Sequence, residues 1–251
     1  MYFWTDEIMP TAERAGVRWG FTSRGGGASA APFDGFNLGG NTGDSPEAVE
    51  TNRAEVARSF GVLRERLVFM DQCHGSAVVV VVDTPSGDVT HRADGVVTTR
   101  DDLALAVLVA DCVPVLLADP SAGVVAAVHA GRPGMTSRIV DRAVETMRGR
   151  GASQIRAVVG PSVCGRCYEV PVRMREEAAA VSPVSATVSW TGTPAVDVAA
   201  GVVDQLREQD VSVTWVPGCS REDDRLFSHR QARRTGRFAG VVRLSPRRGT
   251  S

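Results

Sequence analysis

The chain has 251 residues, 43% of them hydrophobic and 23% charged, a composition that excludes a disordered or fibrous polymer and fits a soluble globular enzyme or binding domain. Its 28 basic residues against 29 acidic ones leave a formal charge of −1, so no overall positive field draws it to nucleic acid or to an anionic membrane. Every basic residue is arginine, which excludes a Schiff-base or P-loop lysine and leaves arginine forks or backbone amides to hold any phosphate.

The amino-terminal stretch MYFWTDEIMPTAERAG carries acids and no basic start followed by an apolar block, so no secretion signal is expected. A short strand at Val17–Thr22 leads into a long loop rich in glycine, serine, proline and asparagine. Ser45-Pro46 opens a helix that runs to Phe60, because proline suits the first turn and Gly61 supplies the stop. The β-branched and apolar runs Ala77–Val82, Val96–Thr99, Leu103–Val109, Val113–Ala118 and Gly123–Val128 read as a buried sheet. Asp111 interrupts the longest apolar stretch, which falls well short of the roughly 20 residues needed to cross a bilayer, and no membrane insertion is expected. Met135–Arg150 reads as one amphipathic helix. Further strands at Ile155–Val159, Ala186–Trp190, Val211–Val216 and Phe238–Leu244, and helices at Val172–Ala180 and Val196–Gln209, complete the chain. Without repeats or a linker, residues 1–251 are expected to form a single domain with a frayed end at SPRRGTS.

Three segments place a metal-ligand residue beside a tight turn at the edge of an expected strand: Asp71-Gln72-Cys73-His74-Gly75, Ala110-Asp111-Cys112-Val113-Pro114 and Ala127-Val128-His129-Ala130-Gly131. Two imidazoles and a thiolate match an open zinc site with a fourth position for water or substrate. The same residues also read as a small buried cysteine and two satisfied loop histidines, and spacing alone does not decide between the two. The five cysteines are too few and too unevenly spaced for a disulfide framework, which points to a reducing cytoplasm. Cys164 and Cys167 form a CxxC without a second CxxC, which excludes a four-cysteine zinc site and reads as two reduced thiols.

In order along the chain, RWGFTSRGGGAS, FNLGGNTGDSPEAVETNR, DQCHGSAV, RADGVVT, ADCVPVLLADP, AAVHAGRPGM, GPSVCGRCYEV and LFSHRQARRTGR resemble the YfiH/laccase-domain family, also called polyphenol oxidase or peptidoglycan-editing-factor proteins. The resemblance covers about Trp19 to Leu244. It implies an α+β fold, a mixed β-sandwich core flanked by helices, with His74, Cys112 and His129 as zinc ligands. It further implies purine nucleoside phosphorylase activity on adenosine, inosine and methylthioadenosine, with accompanying adenosine deaminase activity. Purine nucleosides and phosphate would be the partners. Copper is the cofactor of the older label, but a laccase cluster needs many imidazoles and only four histidines are present. At most a mononuclear site can form from them. Zinc has no redox chemistry and would act as a Lewis acid.

Phosphorolysis requires a grip on phosphate, and Arg24, inside Ser23-Arg24-Gly25-Gly26-Gly27, and Arg53, on the first helix, are the candidates, each with a structural ion pair as its alternative role. Asn37 is a candidate substrate contact that also fits a turn. Asp111, next to the proposed thiolate ligand, is a candidate catalytic proton carrier that also fits a loop hydrogen bond. Asp94 reads as structural, and His91 and His229 as surface or loop residues. Cys73 replaces the family's usual hydrophobic residue, Ser162 replaces a common cysteine, and Arg132-Pro133 stands where the family usually has Trp-Arg. Two other classes stay open: a hydrolase with Cys112 as nucleophile and His129 as base, and a non-catalytic cell-envelope or division-associated interaction protein.

Overall fold

The computed structural model describes residues 1–82 and 92–248; His91 and the end of the tail expected to fray lie outside them. The chain runs through β1 (Tyr2–Ile8), β2 (Gly16–Thr22), α1 (Pro46–Ser59), β3 (Leu67–Phe69), β4 (Val78–Val80), β5 (Gly95–Thr98), β6 (Ala104–Val109), β7 (Val113–Asp119) and β8 (Val124–Ala130). It continues through α2 (Arg132–Thr136), α3 (Ile139–Arg148), β9 (Arg156–Val159), α4 (Val172–Val181), β10 (Ala186–Val188), β11 (Pro194–Val196), α5 (Val198–Glu208), β12 (Ser212–Trp215) and β13 (Phe238–Ser245). A five-stranded sheet is ordered β1-β2-β13-β6-β3, and a six-stranded sheet β12-β9-β7-β8-β5-β4. Among the described residues no helix is long and apolar enough to cross a membrane.

Period-two alternation sorts the strand residues into layers. Along β7, Leu116 and Ala118 face the core between the two sheets, where they meet Phe21, Leu105 and Phe238. Val115 and Leu117 face the opposite side and pack under α3 and α5 with Ile139, Val144, Val202 and Leu206. On the far side of the first sheet, Ala104 and Ala106 of β6 lie under α1 with Val56 and Phe60. Because each central strand is buried on both faces, its sequence is an unbroken apolar run. The expected α+β sandwich flanked by helices is the fold observed.

The capping chemistry explains the ends of α1. Ser45 accepts from the Ala48 N–H at its start, and Gly61, at φ 67°, turns the chain out of it. The single helix expected over Met135–Arg150 is instead two, because Arg138 adopts a left-handed φ of 56° between α2 and α3. Its guanidinium pairs with Asp141 and Glu208, which fixes the break. The edge strand β1, half exposed and carrying Asp6 and Glu7, was not expected from its composition.

Gly160, just after β9, allows the sheets to close on each other. A Cβ there would lie 2.6 and 2.7 Å from Cζ and Cδ1 of the fully buried Phe21 ring. Gly160→Ala is therefore expected to lower stability by about 1–3 kcal/mol in urea unfolding through overpacking. An unchanged midpoint would show that the ring has room to move.

Candidate metal centre

Strand pairing carries His74, Cys112 and His129 to one place. His129, near the end of β8, is opposite Pro114 of β7, so the β6–β7 turn containing Cys112 sits beside it. Asp94 immediately precedes β5, which pairs with β8, and its carbonyl accepts from the His129 N–H at 2.7 Å. The loop after β3 brings in His74, held at a left-handed φ of 59°. The Cys112 Sγ and His74 Nε2 are 3.7 Å apart, and one ligand atom from each of the three side chains lies within 4.8 Å of the others. Tetrahedral zinc bonds, about 2.3 Å to sulfur and 2.0–2.1 Å to nitrogen, separate those two kinds of donor by roughly 3.6 Å. The donor set therefore fits a metal of that size. Gly131 keeps the space clear, since a Cβ there would lie 2.9 Å from His74 Cδ2 and 3.2 Å from Cys112 Sγ.

Asp94 organises the centre. It is fully buried, and its Oδ1 accepts from His129 Nδ1 at 2.8 Å and from the His74 backbone N–H at 2.9 Å. Its Oδ2 accepts from the Gly75 N–H at 2.6 Å and from the Cys73 thiol at 3.2 Å. Burial opposes its ionisation, but these donors outweigh burial and hold the carboxyl well below the usual range. With Nδ1 committed to Asp94, His129 presents Nε2 toward Cys112. Burial pushes the Cys112 thiol up, yet hydrogen bonds and attraction from His129 and His74 bring it down to about 6. Burial likewise opposes charge on His129, while Asp94 and Cys112 raise it to about 9. The two shifts favour a thiolate on Cys112 beside an imidazolium on His129.

The centre lies in a cleft of about 810 Å³, within the range of small-molecule sites. The Gly39–Thr42 loop, Arg53, Gln72, Tyr168, His229, Arg230 and Arg237 are among its walls. Arg53 donates through Nε to the Leu38 carbonyl and stacks over Phe69. Arg230 lies over the Tyr168 ring at 4.5 Å. Burial lowers the pKa of Arg237, although Cys112 and Asp111 attract its charge.

Several expected site residues take other places. Arg24 does not line the cleft; it pairs with Asp34 at 3.4 Å and lies over Phe227. The glycines beside it serve loop closure, since a Cβ on Gly27 would sit 2.5 Å from the Gly35 carbonyl. Asn37 is fully buried and positions two parts of the cleft wall: its Oδ1 accepts from the Gly39 and Arg237 N–H groups, at 2.9 and 2.8 Å. Asp111, expected to carry a proton, borders the cleft, but both carboxylate oxygens are occupied. Ser220 and Ser228 hydroxyls donate to Oδ1 at 2.7 and 2.6 Å, and the Arg230 N–H donates to Oδ2 at 2.7 Å. These contacts give it a holding role between the β6–β7 turn and the long β12–β13 connection. His229, expected as a surface or loop residue, is exposed in a turn and also lines the cleft. Arg132 turns away to Glu177 of α4, at 3.8 Å. Arg230 and Arg237 were missed, although the arginine-rich run HRQARRTGR was the available signal.

The sandwich with a two-histidine, one-cysteine centre at its strand ends defines an α+β protein with a metal-capable ligand cleft. The family described as multi-copper polyphenol oxidoreductase laccase matches residues 18–245. A Streptomyces coelicolor protein named purine nucleoside phosphorylase is 53% identical over 233 residues, covering 91% of this chain and 96% of its own. A Mycobacterium tuberculosis protein of the same name is 50% identical over 224 residues, covering 88% of this chain and 89% of its own. The crystal structure of Bacillus licheniformis YfiH superposes with a TM-score of 0.84 at 28% identity, over 93% of this chain and 97% of that one. YlmD from Geobacillus stearothermophilus gives 0.83 at 27% identity, over 95% and 99%. The chain belongs to the YfiH/laccase-domain family.

Two measurements probe the centre. Asp94→Asn should weaken metal binding about 10–100-fold in chelator competition, because the carboxylate no longer fixes the imidazole; unchanged affinity would remove Asp94 from that role. In metal-stripped protein, peptide-mapped alkylation of Cys112 should rise with pH through about 6 as thiolate forms. A midpoint near the ordinary thiol value of about 8.5 would contradict the ion pair.

Proposed function

We propose that the chain is a zinc-dependent purine nucleoside phosphorylase acting on adenosine, inosine and methylthioadenosine, with adenosine deamination as an accompanying activity. The observation that carries this reading is the Cys112, His74 and His129 donor set in a cleft flanked by Arg53, Arg230 and Arg237. The names of its 50–53% identical relatives support it. A zinc ion held by the three residues would supply Lewis acidity.

In phosphorolysis a phosphate oxygen bonds to C1′ of the nucleoside while the C1′–N9 bond breaks, its electron pair leaving with the purine. The products are ribose 1-phosphate and the protonated base. A phosphate at C1′ brings negative charge into the cleft, and guanidinium forks suit it because they are always charged and donate in pairs. Arg237 is the grip favoured here, since it lines the cleft and its Nη1 donates to the Thr235 and Gly236 carbonyls, which fixes the guanidinium in place. The main-chain turn Gly39-Gly40-Asn41-Thr42 lies on the same wall, where glycines let an anion approach the backbone. Arg230, stacked over the Tyr168 ring, supplies a planar guanidinium face against which a purine can stack. Asp111 and Asn37 act as positioning residues by holding the Arg230 and Arg237 segments. In deamination a water oxygen bonds to C6 while the C6–N bond breaks, giving inosine and ammonia, and no phosphate is needed.

The pairing of a Cys112 thiolate with a His129 imidazolium also favours one competing reading, a cysteine hydrolase. Zinc content and product analysis separate the two. Zinc-loaded protein with inosine and phosphate should release hypoxanthine and ribose 1-phosphate, and Cys112→Ala should abolish both zinc retention in the cleft and product formation. Full phosphorolysis by Cys112→Ala would overturn the reading.

Arg237→Lys keeps the charge but loses the fork. The KM for phosphate should rise about 10–100-fold, the equivalent of roughly 1.5–3 kcal/mol for a charge-assisted contact, with KM for inosine little changed. Equal increases in both constants would make Arg237 part of the cleft architecture instead.

A further inference from the structure

Outside the cleft, two short turns meet at the ends of adjacent parallel strands. β12 pairs with β9 in parallel, and the pairing continues past both strands: Ser162 bridges Cys219, and the Ser220 N–H donates to the Ser162 carbonyl at 3.0 Å. The chain beyond β9 then turns through Cys164-Gly165-Arg166-Cys167, and the chain beyond β12 through Cys219-Ser220-Arg221-Glu222. Both turns have the same form. The Cys167 N–H donates to the Cys164 carbonyl at 2.9 Å, and the Glu222 N–H donates to the Cys219 carbonyl at 3.1 Å. Each turn thus presents two potential ligands with two residues between them, the spacing with which structural zinc sites grip a metal from each of two turns.

The four side chains converge. Ligand atoms of Cys164, Cys167, Cys219 and Glu222 all lie within 4.8 Å of one another. The Cys219 Sγ also accepts from the Cys164 N–H at 3.4 Å, a contact of the kind that stabilises a ligating sulfur. Glu222 is held from its other side by the Trp190 indole N–H, at 3.2 Å. All three cysteines are free thiols, Cys167 buried and the other two half-buried.

The geometry points to a second, structural metal site in this chain, a closed tetrahedral Cys3Glu centre formed by Cys164, Cys167, Cys219 and Glu222 and suited to zinc. Three thiolates and a carboxylate fill all four positions, so no place is left for substrate and the role is to clamp two loops. Those loops reach the cleft. Ser220, between two of the ligands, donates to Asp111, and Tyr168, directly after Cys167, lines the cleft wall. The sequence hides the site because its fourth ligand is a glutamate and its halves lie on different strands.

The test uses full-length protein reconstituted without oxygen. Wild type should bind about two equivalents of zinc, and Cys112→Ser and Cys164→Ser about one each. In Cys112→Ser, cobalt(II) should still give intense sulfur-to-metal absorption, because this site keeps three thiolates. Wild type also gives a readout that needs no variant. Zinc should protect Cys164, Cys167 and Cys219 from alkylation by about tenfold or more, leaving Cys73 reactive, because a bound thiolate is no longer a free nucleophile. The proposal is overturned if Cys112→Ser shows no sulfur-to-cobalt band, if zinc protects only Cys112, or if mass mapping finds a disulfide among the three cysteines in reduced preparations.

Discussion

Asp94 accepts hydrogen bonds from both histidine segments of the centre: from the His74 backbone N–H on the loop after β3, and from the His129 ring at the end of β8. It has no access to solvent. A carboxylate enclosed in this way is stable only while its donors are in place, and removing one partner of such a buried pair typically costs about 3–5 kcal/mol. The pairing of β5 with β8 puts Asp94 next to His129 regardless of any ligand, so the imidazole is oriented before a metal arrives. His74 accepts a left-handed backbone in return for its contact with the same carboxylate. The geometry of the donor set is therefore a consequence of sheet register.

Asp111 does on the opposite side of Cys112 what Asp94 does beside His129. It also has a left-handed backbone, at φ 92°, and its carboxylate gathers Ser220, Ser228 and the Arg230 N–H from the β12–β13 connection, far along the chain. Cys112 thus sits between two anchored segments. Cleft-lining groups, including Tyr168, Arg230 and Arg237, come from loops next to these anchors, while the sandwich beneath supplies rigidity through its doubly buried central strands. A site on strand ends with loops for walls can vary its ligand without disturbing its core.

Much of this was legible in the sequence because apolar alternation and end signals are local. β2, β5 through β9, α1, α5 and β13 follow their expected positions closely, with boundaries shifted by a residue or two. The three ligand segments were also visible as His or Cys beside tight turns. What the sequence hid is non-local. The break at Arg138 depends on partners that include Glu208, far along the chain. The holding roles of Asp94 and Asp111 appear only when strand register and loop packing supply their donors. Arg24 looked suited to an anion because glycines surround it, yet those glycines let the loop fold back on itself. Arg230 and Arg237 lay unnoticed in a run of arginines whose charge gave no clue to which ones line the cleft.

The account rests on a metal held by His74, Cys112 and His129 at the floor of the substrate cleft. Diffraction from crystals of active, zinc-loaded protein, collected on either side of the zinc absorption edge, tests it directly. The account predicts an anomalous peak between the three side chains, at about 2.0–2.1 Å from each nitrogen and 2.3 Å from the sulfur. Active protein whose cleft shows no such peak, or whose peak lies away from these ligands, would contradict it.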